Sequence, residues 1–316
     1  MPLSLGDWMP VGVSCAPQGC AVEWCDFSGV RMSEPFFDQT VTRLLNNPCR
    51  NLCRFQTTME RLCDLVPQAD SRPAGVVFHI SRCGSTLVSG MLKALAQHVV
   101  LSEPAPLAQL LLLRRRIQGV PEETWRRWLS GLLNVMGRRR HEGEECWFLK
   151  CDALHTLDLP FIMSALPEVP WVFIHRDPVE VIAAHLDTPA RVMVPGSTLP
   201  GMESFHSPVD TDPAEHIARI LAEVCRAALE APAEKGLFID YRRLPHEAWP
   251  DLARHFHLDV HPGDDALLCA TGNRDAKNPD RSWRDDRTAK RAFVTPAVQA
   301  TADRWLGEIF KTVASR

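Results

Sequence analysis

The sequence predicts an α/β protein, a three-layer α/β/α fold around a central parallel sheet with an N-terminal extension. Three observations carry that expectation. From residue 75 onward short apolar runs alternate with longer segments, as strands do when crossover helices return the chain. Within the longer segments apolar residues recur every three or four positions. At 316 residues and 45% hydrophobic content, the chain can also bury the core such a fold needs.

In chain order, residues 1–70 form the extension, packed on a domain of residues 71–316. Three early prolines are followed by SEPFFDQTVTRLL, which opens a helix, and a second helix is expected around CRFQTTMERLCDLV. GVVFHI, VVL, CWFLKC, WVFIH and GLFIDY are the five strands. Helices fill the intervals 86–98, 105–118, 121–137, 157–166, 178–187 and 213–230. The Arg runs at 114–116 and 138–140 fall near helix ends, where cations suit the macrodipole and water. Proline and glycine break up residues 187–212, and an irregular segment of that length in an α/β domain is expected to be a lid or binding loop.

Charge narrows the function. A net charge of −4 argues against sequence-independent nucleic-acid binding, so an anion site must be a local pocket. No segment reaches the roughly 18 apolar residues of a membrane span, and the N-terminus lacks the basic and apolar regions of a signal peptide. The expectation is a cytoplasmic protein whose 11 cysteines stay reduced. Cys15, Cys20 and Cys25 lack the tight pairing of zinc sites, so no metal is expected.

The most informative stretch is FHISRCGSTLVSGML, residues 78–92, in which a strand passes through a small-residue turn into a helix. First-turn amides there point at a ligand with the positive end of the helix dipole behind them. Gly84 lets the backbone approach an anion, Ser85 and Thr86 add hydroxyl donors, and Arg82 adds fixed charge, with Cys83 between them. The Gly-Lys-Ser/Thr ending of an ATP-binding P-loop is missing, and the next lysine, Lys93, is already inside the helix. That disfavours magnesium-dependent ATP chemistry. It suits a donor whose transferable group carries less charge than a γ-phosphate.

HISRCGSTLVSGML resembles the 5′-phosphosulfate loop of the P-loop sulfotransferases, in the bacterial form with Arg before x-Gly-Ser-Thr. WVFIHRDPVEVIAAHL resembles that family's 3′-phosphate strand and helix, and GLFIDYRRLP its strand with a Tyr followed by charged residues. Together the blocks span about residues 75–245 in the family's order. The resemblance implies 3′-phosphoadenosine 5′-phosphosulfate (PAPS) as donor, no metal, and contact of Arg176 with the 3′-phosphate. Two positions depart from the family: Ala184 stands where a serine commonly helps bind that phosphate, and KCD, with Lys150 and Asp152, stands where the eukaryotic enzymes have Lys-x-His. The basic loop GNRDAKNPDRSWR, with Arg274, Lys277, Arg281 and Trp283, could clamp the nucleotide in place of the lost serine, or be solvated charge balanced by its own aspartates.

Sulfuryl transfer needs an acceptor oxygen in line with the breaking S–O bond, charge stabilisation on the leaving phosphate and a base. Arg82 fits the second need. Glu103 is the first choice of base, because it follows the second strand and precedes Pro104 at the sheet's C-terminal edge, where certain bacterial sulfotransferases have a catalytic Glu. The same position also suits a helix-start acid, and Asp152, His155 and His185 compete as bases. A small-molecule kinase with an atypical loop and a non-catalytic nucleotide-binding protein are the rival functions. The acceptor, a small molecule or a peptide offering a hydroxyl or amine, has no signature in the sequence, and neither does the oligomeric state.

Overall fold

The computed structural model describes residues 6–16, 19–65, 71–197, 201–261, 263–276 and 294–316. All five expected strands are present: β4 (Gly75–His79), β5 (His98–Ser102), β6 (Cys146–Lys150), β7 (Trp171–His175) and β8 (Gly236–Asp240). They form one sheet in the order β5-β6-β4-β7-β8, with every neighbouring pair parallel. β4 and β7 are buried along their whole lengths, as strands covered by helices on both faces must be.

The covering helices keep close to their expected intervals. They are α4 (Ser85–Ala94), α5 (Ala105–Arg116), α6 (Glu122–Gly137), α7 (Leu159–Ser164), α8 (Pro178–Asp187) and α9 (Pro213–Glu230), followed by α10 (Trp249–His255), α11 (Asp264–Gly272) and α12 (Pro296–Ala314). Three starts share one device. Asp177, Asp212 and Thr295 accept amides from Val179, Glu215 and Val298, and a proline follows each cap where no N–H is needed. Core residues from Met9 to Val313 form one continuous cluster.

The N-terminal residues differ from expectation. β1 (Trp8–Ala16), β2 (Gly19–Asp26) and β3 (Phe55–Thr58) form an antiparallel sheet of their own, with α1 (Phe37–Leu45), in the expected SEPFFDQTVTRLL stretch, and α2 (Pro48–Leu52) between β2 and β3, and α3 (Met59–Leu65) after β3. The expected second helix therefore begins only at Met59, and FQTT before it is a strand. Pro10 is tolerated because β1 is an edge strand and its register shifts between Pro10 and Gly12.

The hairpin register pairs Cys15 with Cys20, Cα atoms 4.0 Å apart, and joins them in a disulfide. The expectation that all cysteines stay reduced is corrected for this pair. The Arg runs are also less solvated than expected. Arg138 donates to the carbonyls of Gly6 and Trp8, and Arg114 and Arg115 reach buried Asp158, so both runs tie elements together. No described helix is long and apolar enough to cross a membrane.

The described residues between 188 and 212 are irregular as expected, with short 3-10 turns at Arg191–Met193 and Glu203–Phe205. They are nevertheless anchored: Met193, Met202 and Ser207 are buried, and His216 of α9 bonds Ser207 Oγ and Val192 O, both at 2.9 Å.

Candidate active site

The chain leaves β4 toward β5 on one side of the sheet, while β7 and β8 lie on the other, so the end of β4 sits where the strand order diverges. Open α/β sheets bind ligands at that point. The turn there carries Ser81 at φ 93°, Arg82 at φ 49° and Gly84 at φ 80°. Left-handed backbone at non-glycine residues is costly, and turns that mix such residues with right-handed ones are a common form of anion-binding concavity. A Cβ on Gly84 would lie 2.9 Å from Leu244 Cδ1 and 3.0 Å from the Tyr241 ring. Glycine is therefore required by both conformation and space.

The three sequence blocks converge on this turn. Arg176, buried at the end of β7, donates from Nη1 to Arg82 O at 3.3 Å, and its guanidinium lies 4.2 Å from the Tyr241 ring centroid. The chain's single tyrosine thus stacks on Arg176 and covers Gly84. Arg176 also pairs with buried Glu180 at 2.7 Å, one turn along α8. Arg82 Nη2 donates to Thr188 O at 2.6 Å, which ties the turn to the start of the 187–212 loop. Burial pushes the Cys83 thiol up to about 11, and its Sγ bonds Ile174 O at 3.2 Å, so Cys83 serves as packing. Ser85 is buried in the helix start, whereas Thr86 lines a cavity of about 340 Å³ along α4 with Lys93 and Arg274. Lys277 and Arg281 lie outside the described residues.

The candidate bases gather on the other flank. Glu103 follows β5 at φ 51°, its amide donates to Lys150 O at 2.7 Å, and its carboxylate pairs with the Lys150 ammonium. Lys150, at the end of β6, is 1% exposed. Asp152 accepts Leu154 N at 2.9 Å as the cap of the following 3-10 turn, and its own amide donates to His155 Nδ1 at 3.2 Å. Burial lowers the His155 pKa against the opposing pull of Asp152 and Asp158. Glu103, Asp152 and His155 line one cavity of about 270 Å³ with Asp38, Arg115 and Met202. His185 does not line that cavity; its Nε2 lies 3.0 Å from Ser81 Oγ in the turn.

Sequence reasoning missed the buried Lys150–Glu103 pair, the Glu180 partner of Arg176 and the place of His79. The available signal was a charged or polar residue closing an otherwise apolar strand in CWFLK and GVVFH. Among the described residues no group of three or more His, Cys, Asp or Glu side chains could hold a metal.

No protein-family model and no curated protein matches the chain. Among solved structures, the sulfotransferase domain from the curacin biosynthetic pathway is similar over 77% of this chain and 96% of its own, at 14% identity and a TM-score of 0.44. Sulfotransferase STF1 from Mycobacterium tuberculosis is similar over 84% of this chain and 82% of its own, at 16% identity and a TM-score of 0.47. Mouse sulfotransferase SULT7A1, complexed with PAP, is similar over 79% of this chain and 88% of its own, at 12% identity and a TM-score of 0.41.

Proposed function

We propose that the protein is a sulfotransferase that moves a sulfuryl group from PAPS to a hydroxyl or amine without a metal. The observation that carries this is the turn of Ser81 to Thr86 at the end of β4, which combines left-handed backbone, a helix start and a guanidinium with the absence of a P-loop lysine. The amides of that turn after Ser81 and the hydroxyl of Thr86 would hold the 5′-phosphosulfate. Arg176, fixed against Tyr241 and the Arg82 carbonyl, would meet the 3′-phosphate, and Arg274 would approach from the α4 side. Glu180 already occupies one edge of the Arg176 guanidinium, so the phosphate would take the remaining donors.

In the transfer, the acceptor oxygen or nitrogen forms a bond to sulfur as the bridging S–O bond to the phosphate breaks. Glu103 takes the acceptor's proton from the 270 Å³ cavity, with Lys150 fixing one of its carboxylate oxygens. Arg82, released from Thr188 O, offsets the charge that develops on the leaving phosphate oxygen. Asp152 and His155 shape the acceptor side, since each is already committed to a neighbouring backbone or ring partner.

Donor carrying labelled sulfur, incubated with a panel of alcohols and amines in EDTA, should yield labelled product. A protein that binds adenosine 3′,5′-bisphosphate but gives neither transfer nor donor hydrolysis would instead be a nucleotide-binding protein without turnover.

A further inference from the structure

One buried imidazole joins the two flanks of the site. His79 closes β4 and is 5% exposed. Its Nδ1 accepts the Ser81 amide at 3.1 Å. A backbone amide can only donate, so the ring proton sits on Nε2. Nε2–H then donates to Cys151 O at 3.0 Å, in the link between Lys150 and Asp152, and lies 3.9 Å from Glu103 Oε1. Ser81 is the first left-handed residue of the anion cradle. The Thr156 hydroxyl meets the His79 carbonyl at 3.4 Å, which steadies the strand end from a third direction. One ring therefore touches the donor loop through one nitrogen and the surroundings of the base through the other.

We propose, building on the sulfotransferase function above, that His79 is a positioning residue that sets the distance between the donor loop and Glu103. In-line transfer depends on that distance, because the acceptor oxygen is placed by the base and the sulfur by the loop. An apolar residue would fill the same space in a fully buried strand. A buried ring needs partners for its polar atoms, and those found here belong to the two halves of the site. His79 neither accepts the proton nor touches the sulfuryl group. It acts through Ser81 and through the Lys150–Asp152 link, and only the neutral Nε2–H tautomer serves both.

The test compares His79→Leu, which removes both bonds, with His79→Gln, whose amide can still donate toward Cys151 O. Bisphosphate affinity should stay within about threefold in both, while kcat falls about 100-fold in the Leu variant and recovers in part with Gln. Unchanged kcat in the Leu variant would overturn the proposal. So would a loss of bisphosphate binding as large as the loss of kcat, since His79 would then only support the loop. Should the Leu variant fail to fold, a partial loss of kcat in the Gln variant at unchanged bisphosphate affinity supports the positioning role, and either full kcat or a rate as low as that of Glu103→Gln opposes it. Nitrogen-15 NMR of the wild-type ring, readable without turnover, should show a protonated Nε2 and a bare Nδ1, and the opposite tautomer would overturn the proposal. A wild-type protein that neither binds bisphosphate nor transfers sulfuryl would overturn the proposed function instead.

Discussion

Glu103 holds a left-handed conformation that no glycine relieves, and its carboxylate and amide are both bound to Lys150. Strain at a non-glycine residue persists where the surroundings over-determine it, as a base fixed against a reacting group requires. Glu103→Gln keeps an acceptor for the Lys150 ammonium and removes the base. It should lower kcat by roughly 10²–10⁴-fold and leave bisphosphate affinity nearly unchanged. Full turnover in this variant would move the base to Asp152 or His155. Arg176 needs a balanced test, because its removal alone strands buried Glu180. The double variant Arg176→Gln with Glu180→Gln should weaken bisphosphate binding by about 10–100-fold, the worth of a charge-assisted hydrogen bond, and calorimetry reads this directly. At this scale the sequence makes positions legible. Arg82, Glu103 and Arg176 stand out by their places after strands, whereas the Arg176–Glu180 pair follows helical i,i+4 geometry whose energetic weight depends on burial that the sequence does not display.

Among the elements, the turn between β4 and α4 is constrained from above as well as below. Gly84→Ala would place a side chain at φ 80° against Leu244 and Tyr241. The conformation alone costs about 1–2 kcal/mol, so thermal stability should drop and bisphosphate binding should weaken with it. An Ala variant with unchanged binding would show that the turn does not hold the anion. The five strands and the helices between them could be read from apolar runs and period because both faces of the sheet are covered. FQTT was hidden in a helical pattern, since a short edge strand is stabilised by its pairing with β2 rather than by its own apolar content. WMPVGVSCA was hidden by Pro10 and Gly12, which are allowed only at the edge and shift of a ladder that sequence does not reveal.

For the whole molecule, burial lowers the pKa values of His98, His155 and His175 together. Below their unfolded value near 6.5, the unfolded chain binds protons that the folded chain excludes. Stability from these three groups is therefore complete above about pH 6.5 and declines as pH falls from there toward their folded values. Scanning calorimetry should give a lower Tm at about pH 5.5 than at about pH 7.5, and a flat profile would mean that the three rings are not buried as described. The same global view explains what stayed illegible: the cavity beside Glu103 is assembled from α1, α5, the 3-10 turn after β6 and Met202, elements far apart in the chain, and no local motif records such a wall. The central claim is that the turn after β4 holds a sulfonucleotide without a metal. Titration of adenosine 3′,5′-bisphosphate into the protein by calorimetry, with and without EDTA, tests it most directly. Equal binding in both conditions and preference for the bisphosphate over ATP are the predicted result. Binding that vanishes with the chelator, or a preference for ATP, would contradict it.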